Sequence, residues 1–245
     1  MTDPVHGGSL SARLMRQAAT RMIVGDLRKA FRRVVWVGDP PVLPPGRPVV
    51  IYANHHVYAD SYLLFHLITQ VLERPFLVWM EAWDKAPMFG PVGALPFPAE
   101  DARQRVQTIR ETARRMESDP RSILLLYPEG RMGVPEAGLA PFTADLPRLA
   151  RLLPDSVGWW PVGVRTSWWG QSRPTALLGA GPIHDAPDGE EANRLGTLLR
   201  QLEAARPENL ETGLARVLLE GTPGPDERWN LSPLAPWFRR WTFRA

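Results

Sequence analysis

Two short stretches hold the residue types that acid–base chemistry needs. The first is Asn54-His55-His56-Val57-Tyr58-Ala59-Asp60, and the second is Tyr127-Pro128-Glu129-Gly130-Arg131. A histidine with a carboxylate in reach is a general base with its orienter. The carboxylate keeps one ring nitrogen as N–H, leaves the other a bare acceptor, and stabilises the imidazolium formed on proton uptake. His55 stands five positions before Asp60, and His56 stands four. On a regular helix the four-residue spacing shares a face, which favours His56. A turn at the helix start would instead bring His55 round. In the second stretch a carboxylate and a guanidinium flank a glycine. Glycine admits a close backbone approach to a ligand, and arginine offers a fork that matches phosphate oxygens. The plainer readings are a capped helix start with buried histidines and a surface turn with a local ion pair.

Both stretches directly follow apolar runs, at 49–53 and 123–127, that read as buried strands. Further strands are expected at 76–80, 160–165 and 175–178, and helices at 61–72, 101–117 and 146–153. This alternation predicts an α/β fold, a single domain with a largely parallel central sheet flanked by helices. In such sheets functional residues gather at the carboxyl ends of strands. Two more helices are expected at 189–205 and 208–220. Residues 1–8 read as disordered and 9–33 as an amphipathic helix, with a stripe of Leu10, Leu14, Ala18 and Met22 continued by Leu27, Ala30, Phe31 and Val34. That helix carries Arg13, Arg16, Arg21, Arg28, Lys29, Arg32 and Arg33 against Asp26 alone. A basic amphipathic helix suits an anionic bilayer surface, and equally a helix packed on the domain with a solvated basic face. The expected organisation is a start and basic helix (1–33), an α/β core (34–185), and C-terminal helices with a Trp/Arg-rich tail (186–245).

Taken in order and with their spacing, these segments resemble the glycerolipid acyltransferase superfamily, the bacterial 1-acyl-glycerol-3-phosphate acyltransferases and their relatives. Asn54, His55 and Asp60 meet its Asn-His-x-x-x-x-Asp signature, and Tyr127 to Gly130 its aromatic-Pro-Glu-Gly block. Leu139 to Phe142 with 146–150 is similar to the family's Leu-x-x-Phe turn and helix. Trp160 to Val164 is similar to its valine-proline strand, and Lys85 to Gly93 to the segment before its second block. The likeness spans about residues 34–185. It implies that His55 is the base and Asp60 its orienter, with His56 at a variable position. His55 would deprotonate an acceptor hydroxyl that attacks an acyl thioester of coenzyme A or acyl carrier protein, with no covalent acyl-enzyme. Asn54, Glu129, Gly130 and Arg131 would bind substrate, and no metal or resident cofactor is implied. The partners implied are the acyl donor, a lipid acceptor and an anionic membrane surface, with the protein peripheral on the cytoplasmic face.

The sequence also departs from the family pattern. Val57 stands where many members have serine, and Arg131 follows Gly130 with no threonine between. Thr143, Ala144 and Asp145 replace a lysine-rich stretch. Residues 94–100 contain no arginine, so Arg103 is the nearest expected cation. These departures admit a glycolipid or other unphosphorylated lipid alcohol as acceptor.

Composition narrows the field further. Of 245 residues, 44% are hydrophobic and 22% charged, as in globular chains. No cysteine is present, which excludes disulfides, thiolate metal sites and a cysteine nucleophile. The formal charge is +3, and all but two of the 29 basic residues are arginine. No nucleic-acid motif accompanies them, so no nucleic-acid partner is expected. A metal site on His55, His56 and Asp60 would need adjacent histidines to point the same way. The His-His-x-x-x-Asp order also resembles the condensation domains of peptide synthetases, which are much longer and lack the Pro-Glu-Gly block. A catalytically silent lipid-binding protein is the alternative from another class. The ten tryptophans have two readings, core packing or an apolar acyl channel or interfacial belt. Trp237, Phe238, Arg239, Arg240, Trp241, Phe243 and Arg244 form the expected membrane-contacting tail.

Overall fold

The computed structural model describes residues 10–228 and 232–242. The expected disorder of residues 1–8, and Phe243 and Arg244 of the tail, lie outside the described residues. The chain begins with α1 (Leu10–Ala30) and β1 (Arg33–Val37), then β2 (Val49–Ala53) and α2 (Ala59–His66), which runs into a π-helical turn at Leu67–Val71. Next come β3 (Phe76–Met80), β4 (Ala94–Pro96), α3 (Ala102–Ser118), β5 (Ile123–Leu126) and α4 (Leu146–Ala150). β6 (Gly158–Ser167), β7 (Thr175–Ala180), α5 (Glu191–Glu203), α6 (Glu208–Glu211), β8 (Ala215–Glu220), α7 (Pro225–Arg228) and α8 (Ala235–Thr242) complete it.

The strands form one eight-stranded sheet in the order β4-β3-β5-β2-β6-β7-β1-β8. β4, β3, β5, β2 and β6 run parallel, whereas β7 turns antiparallel to β6. β1 lies parallel to β7, and β8 closes the edge antiparallel to β1. The central strands are apolar on both faces because both are covered. Val49, Ile51 and Ala53 of β2 pack under α1 and α2, while Val50 and Tyr52 face the layer of α3, α4 and α5. Asp101 caps α3, its carboxylate accepting the Gln104 N–H at 2.9 Å.

Two expectations need correction. The segment 208–220 is not one helix: it holds the short α6 and the edge strand β8. Arg33 and Val34 belong to β1, so the first helix ends at Ala30, before Arg32 and Arg33. Beyond residue 185, β8 joins the same sheet and α5 packs on it.

The α1 stripe also has a different register. Ala19, Ile23, Leu27 and Phe31 are the residues buried against the sheet. Leu10 (75% exposed), Leu14 (57%) and Met15 (51%) face outward, and Met22 is exposed as well. One face packs, and a second apolar face is left uncovered.

His66 is buried at the end of α2, beside the Leu218 backbone and Arg28, and both ring nitrogens lack a hydrogen-bond partner of normal geometry. Burial holds its pKa below the ordinary value of 6.5. The native chain therefore keeps this ring neutral while the unfolded chain takes up a proton, so stability falls as pH drops through about 6.5. The loss attributable to this one ring is at most ~1.4 kcal/mol per pH unit. His66→Leu is expected to flatten the fall in melting temperature between pH 7 and 5. An unchanged slope would show that His66 does not carry it.

Candidate active site

β2 and β5 are hydrogen-bonded parallel neighbours, Tyr52 aligning with Leu126. Their carboxyl ends therefore deliver residues 54–60 and 127–131 side by side to one rim of the sheet. The backbone draws them closer, the Gly133 N–H donating to the His55 carbonyl at 2.7 Å.

Asp60 sits in the first turn of α2 and is buried. Its Oδ2 accepts the His56 N–H at 2.7 Å, the Val57 N–H at 2.8 Å and His55 Nδ1 at 3.3 Å. The carboxylate thus ties the turn after β2 into a shape that carries His55 round to it, despite the five-residue spacing. A carboxylate only accepts, so Nδ1 bears the proton and Nε2 is the bare acceptor. The His55 ring stacks on Tyr127, with centroids 4.1 Å apart and planes at 15°. The Tyr127 hydroxyl shares a 3.0 Å hydrogen bond with Ser61 Oγ.

His56 turns away and is committed elsewhere. It is buried, its Nδ1 accepts from Asn54 Nδ2 at 3.1 Å, and its Nε2 donates to the Gly138 carbonyl at 3.3 Å. Regular helix spacing favours His56, but the turn precedes the helix, so that rule does not apply here.

Asn54 and Glu129, expected to touch substrate, are buried braces in this structure. Asn54 extends the ladder between β2 and β6: its Oδ1 accepts the Val164 N–H at 2.8 Å and its Nδ2 donates to the Val164 carbonyl at 2.9 Å. Glu129 accepts the His55 N–H at 2.9 Å on one oxygen and the Ala140 N–H at 2.8 Å on the other. It joins the base-bearing turn to the 138–140 loop. Both are the polar groups that a buried backbone requires. Gly130 has φ +68°, and a Cβ there would run into the Thr143 hydroxyl, so this turn needs glycine. Arg131 follows it, exposed at the rim.

His55 opens on a cavity of about 1130 Å³. Its deeper wall includes Phe65, Phe76, Val78 and Phe89, with Trp79 stacked on Phe97 at 4.5 Å. Ile23 of α1 contributes from the N-terminal side. Three arginines line the cavity: Arg105, Arg131 and Arg148. Arg105 donates to the Pro98 carbonyl at 3.1 Å and to the Ala99 carbonyl. Arg103, the cation expected from the sequence, is exposed and does not line it. Arg105 and Arg148 belong to no motif; their place as the fourth residue of α3 and the third of α4 is the only signal in the sequence. Trp36, Trp159 and Trp160 are core residues, Trp79 lines the cavity, and Trp168 and Trp237 are exposed. Among the described residues, no group of three or more His, Cys, Asp or Glu is arranged to hold a metal ion.

No family model matches this chain, and no curated protein does. Among solved structures, the 1-acyl-sn-glycerophosphate (LPA) acyltransferase PlsC from Thermotoga maritima matches at a TM-score of 0.51. The two chains share a fold. The match covers 80% of this chain and 86% of PlsC at 19% sequence identity. The PlsC-like fold is the α/β layering expected from the alternating strands and helices.

Proposed function

We propose that the protein is an O-acyltransferase that moves a fatty acyl group from an acyl thioester, carried by coenzyme A or acyl carrier protein, to a lipid hydroxyl. The acceptor in this reading is 1-acyl-glycerol-3-phosphate or a related lysolipid. The observation that carries it is a His55–Asp60 pair opening on a large apolar cavity rimmed by arginines. His55 Nε2 takes the proton of the acceptor hydroxyl as its oxygen attacks the thioester carbonyl. Asp60 stabilises the imidazolium so formed. Collapse of the tetrahedral species breaks the C–S bond, and the imidazolium returns its proton to the departing thiolate. The products are an ester and a free thiol, with His55 regenerated. The apolar wall suits acyl chains, and Arg131 and Arg148 offer cations to an acceptor phosphate.

A second reading, an unphosphorylated lipid alcohol as acceptor, is favoured by Arg105, whose guanidinium is occupied by backbone carbonyls. The deciding assay offers the purified chain an acyl-CoA or an acyl carrier protein thioester with lysophosphatidate or with monoacylglycerol. Ester product and free thiol should appear in equal amounts, and the preferred acceptor separates the two readings. Lipid binding without ester formation in any combination would replace both with a silent lipid-binding protein.

Membrane docking belongs to the same reading. No helix among the described residues is long and apolar enough to cross a membrane. The outward face of α1 joins Leu10, Leu14, Met15 and Met22 to Arg13 and Arg21, and α8 exposes Trp237 and Phe238. Deleting α1 would remove core residues Ile23 and Leu27, so point changes are the sound test. Arg16 is best spared because its Nε donates to the Pro91 carbonyl at 3.1 Å. Each cation near an anionic surface is worth ~1 kcal/mol, so Arg13→Ala with Arg21→Ala should weaken binding to phosphatidylglycerol-containing vesicles about thirtyfold. Binding unmoved by the double change, and equal on neutral vesicles, would mean that α1 is an ordinary packed helix.

A further inference from the structure

We propose that Ser61 and Tyr127 are positioning residues for His55, a second clamp that acts on the face of the imidazole while Asp60 acts on its edge. For its effect on turnover this rests on the acyltransferase reading; its effect on the imidazole itself does not.

The need for a second clamp lies in the first one. The His55 Nδ1 to Asp60 Oδ2 distance is 3.3 Å, at the long end for such a bond. The same oxygen also takes two backbone N–H groups at 2.7 and 2.8 Å, so the ring is the weakest held of its three donors. An in-plane bond of that length leaves the ring free to tilt. The Tyr127 ring blocks the tilt on one side, lying 4.1 Å away and nearly parallel. The platform is itself tethered, since its hydroxyl meets Ser61 Oγ at 3.0 Å. Asp60 and Ser61 are consecutive residues in the first turn of α2, so one rigid turn anchors both clamps. Tyr127 comes from the end of β5, so the clamp also sets the distance between the two site segments.

The stack has an electrostatic consequence too. An aromatic face is the negative end of the ring quadrupole and attracts a cation within about 6 Å. The imidazolium that forms during the reaction gains this attraction, and the neutral imidazole does not. The platform must stay uncharged for its hydroxyl to remain a tether. Burial pushes the Tyr127 phenol far above the ordinary tyrosine range, so the O–H is kept across the working pH range. Phenylalanine would supply the face without the tether.

The test uses the full chain and two readouts: proton–nitrogen NMR titration of the His55 ring in the free protein, and the pH–rate profile of acyl transfer. Tyr127→Leu removes the face. The His55 midpoint should move to lower pH by about half a unit, and the acid limb of the profile should move with it. kcat should fall about tenfold with KM within about twofold of the parent. Tyr127→Phe keeps the face and loses the tether, so the midpoint should stay while kcat falls about threefold. Ser61→Ala should do the same, and the double variant should be no worse than either single one. A midpoint unmoved in Tyr127→Leu, or tether effects that multiply in the double variant, would overturn the proposal. If Tyr127→Leu does not fold, the Tyr127→Phe and Ser61→Ala pair still decides. If no substrate is turned over, the NMR titration still decides, which separates failure of the clamp from failure of the acyltransferase reading.

Discussion

His55→Ala is expected to lower kcat for acyl transfer by about 10²- to 10⁴-fold, the contribution of a positioned general base. The fold should survive, because the ring lies at a cavity wall and its Nε2 serves no structural bond. His56→Ala should show the opposite balance. It removes the bonds to Asn54 and Gly138, and leaving the buried Asn54 amide N–H unsatisfied costs about 1–3 kcal/mol. Its melting temperature should drop while turnover of the folded fraction stays within about tenfold of the parent. Paired steady-state kinetics and thermal melts of the two variants check this. A folded but inactive His56→Ala beside an active His55→Ala would reverse the roles.

The second large effect belongs to Asp60. Asp60→Asn can leave a carbonyl oxygen facing the His56 and Val57 N–H groups, so the turn should persist. It removes the negative charge that stabilises the imidazolium and the acceptor that selects the His55 tautomer. A neutral amide in the equivalent role in a serine protease triad costs about 10⁴ in kcat, and a fall of about 10³–10⁴ is expected here. Asp60→Ala should do worse in a different way, because it leaves three donors without their acceptor. That variant should lose stability as well as activity. Retention of more than about a tenth of the activity in Asp60→Asn would remove Asp60 from the mechanism.

The parts of this molecule that were legible in its sequence are those in which local pattern and tertiary role agree. The runs at 49–53 and 123–126 are apolar throughout because they are central parallel strands, covered on both sides. Polar residues directly after them mark the carboxyl rim, and that placed His55, Asp60 and the Glu-Gly-Arg turn. Legibility failed where one pattern serves two structures. Leu214, Leu218 and Leu219 have helical spacing, yet Ala215–Glu220 is an edge strand whose outer residues meet solvent. The α1 stripe was misplaced because Leu10, Leu14 and Met22 are as apolar as Ile23 and Leu27, and only the sheet decides which face is buried. Asn54 and Glu129 look like ligands in one dimension. What assigns them to bracing is the backbone they satisfy, Val164, His55 and Ala140, residues 11 to 110 positions away. No sequence window contains such a partner.

The reversal of strand direction between β6 and β7 has a bearing on how the chain is assembled. Because β1 follows β7, it runs against β2, and its first residue, Arg33, lies at the rim where β2 ends. The helix that feeds β1 is thereby delivered across the site, which is how Ile23 comes to line the cavity. Had β1 pointed the other way, α1 would end at the opposite edge and the cavity would lack that wall. Helix α1 thus serves at once as core, through Ile23 and Leu27, and as one wall of the cavity. A different segment grafted for residues 10–30 onto the same sheet, with Ile23 and Leu27 kept, would change the cavity wall on that side and leave the His55–Asp60 pair in place.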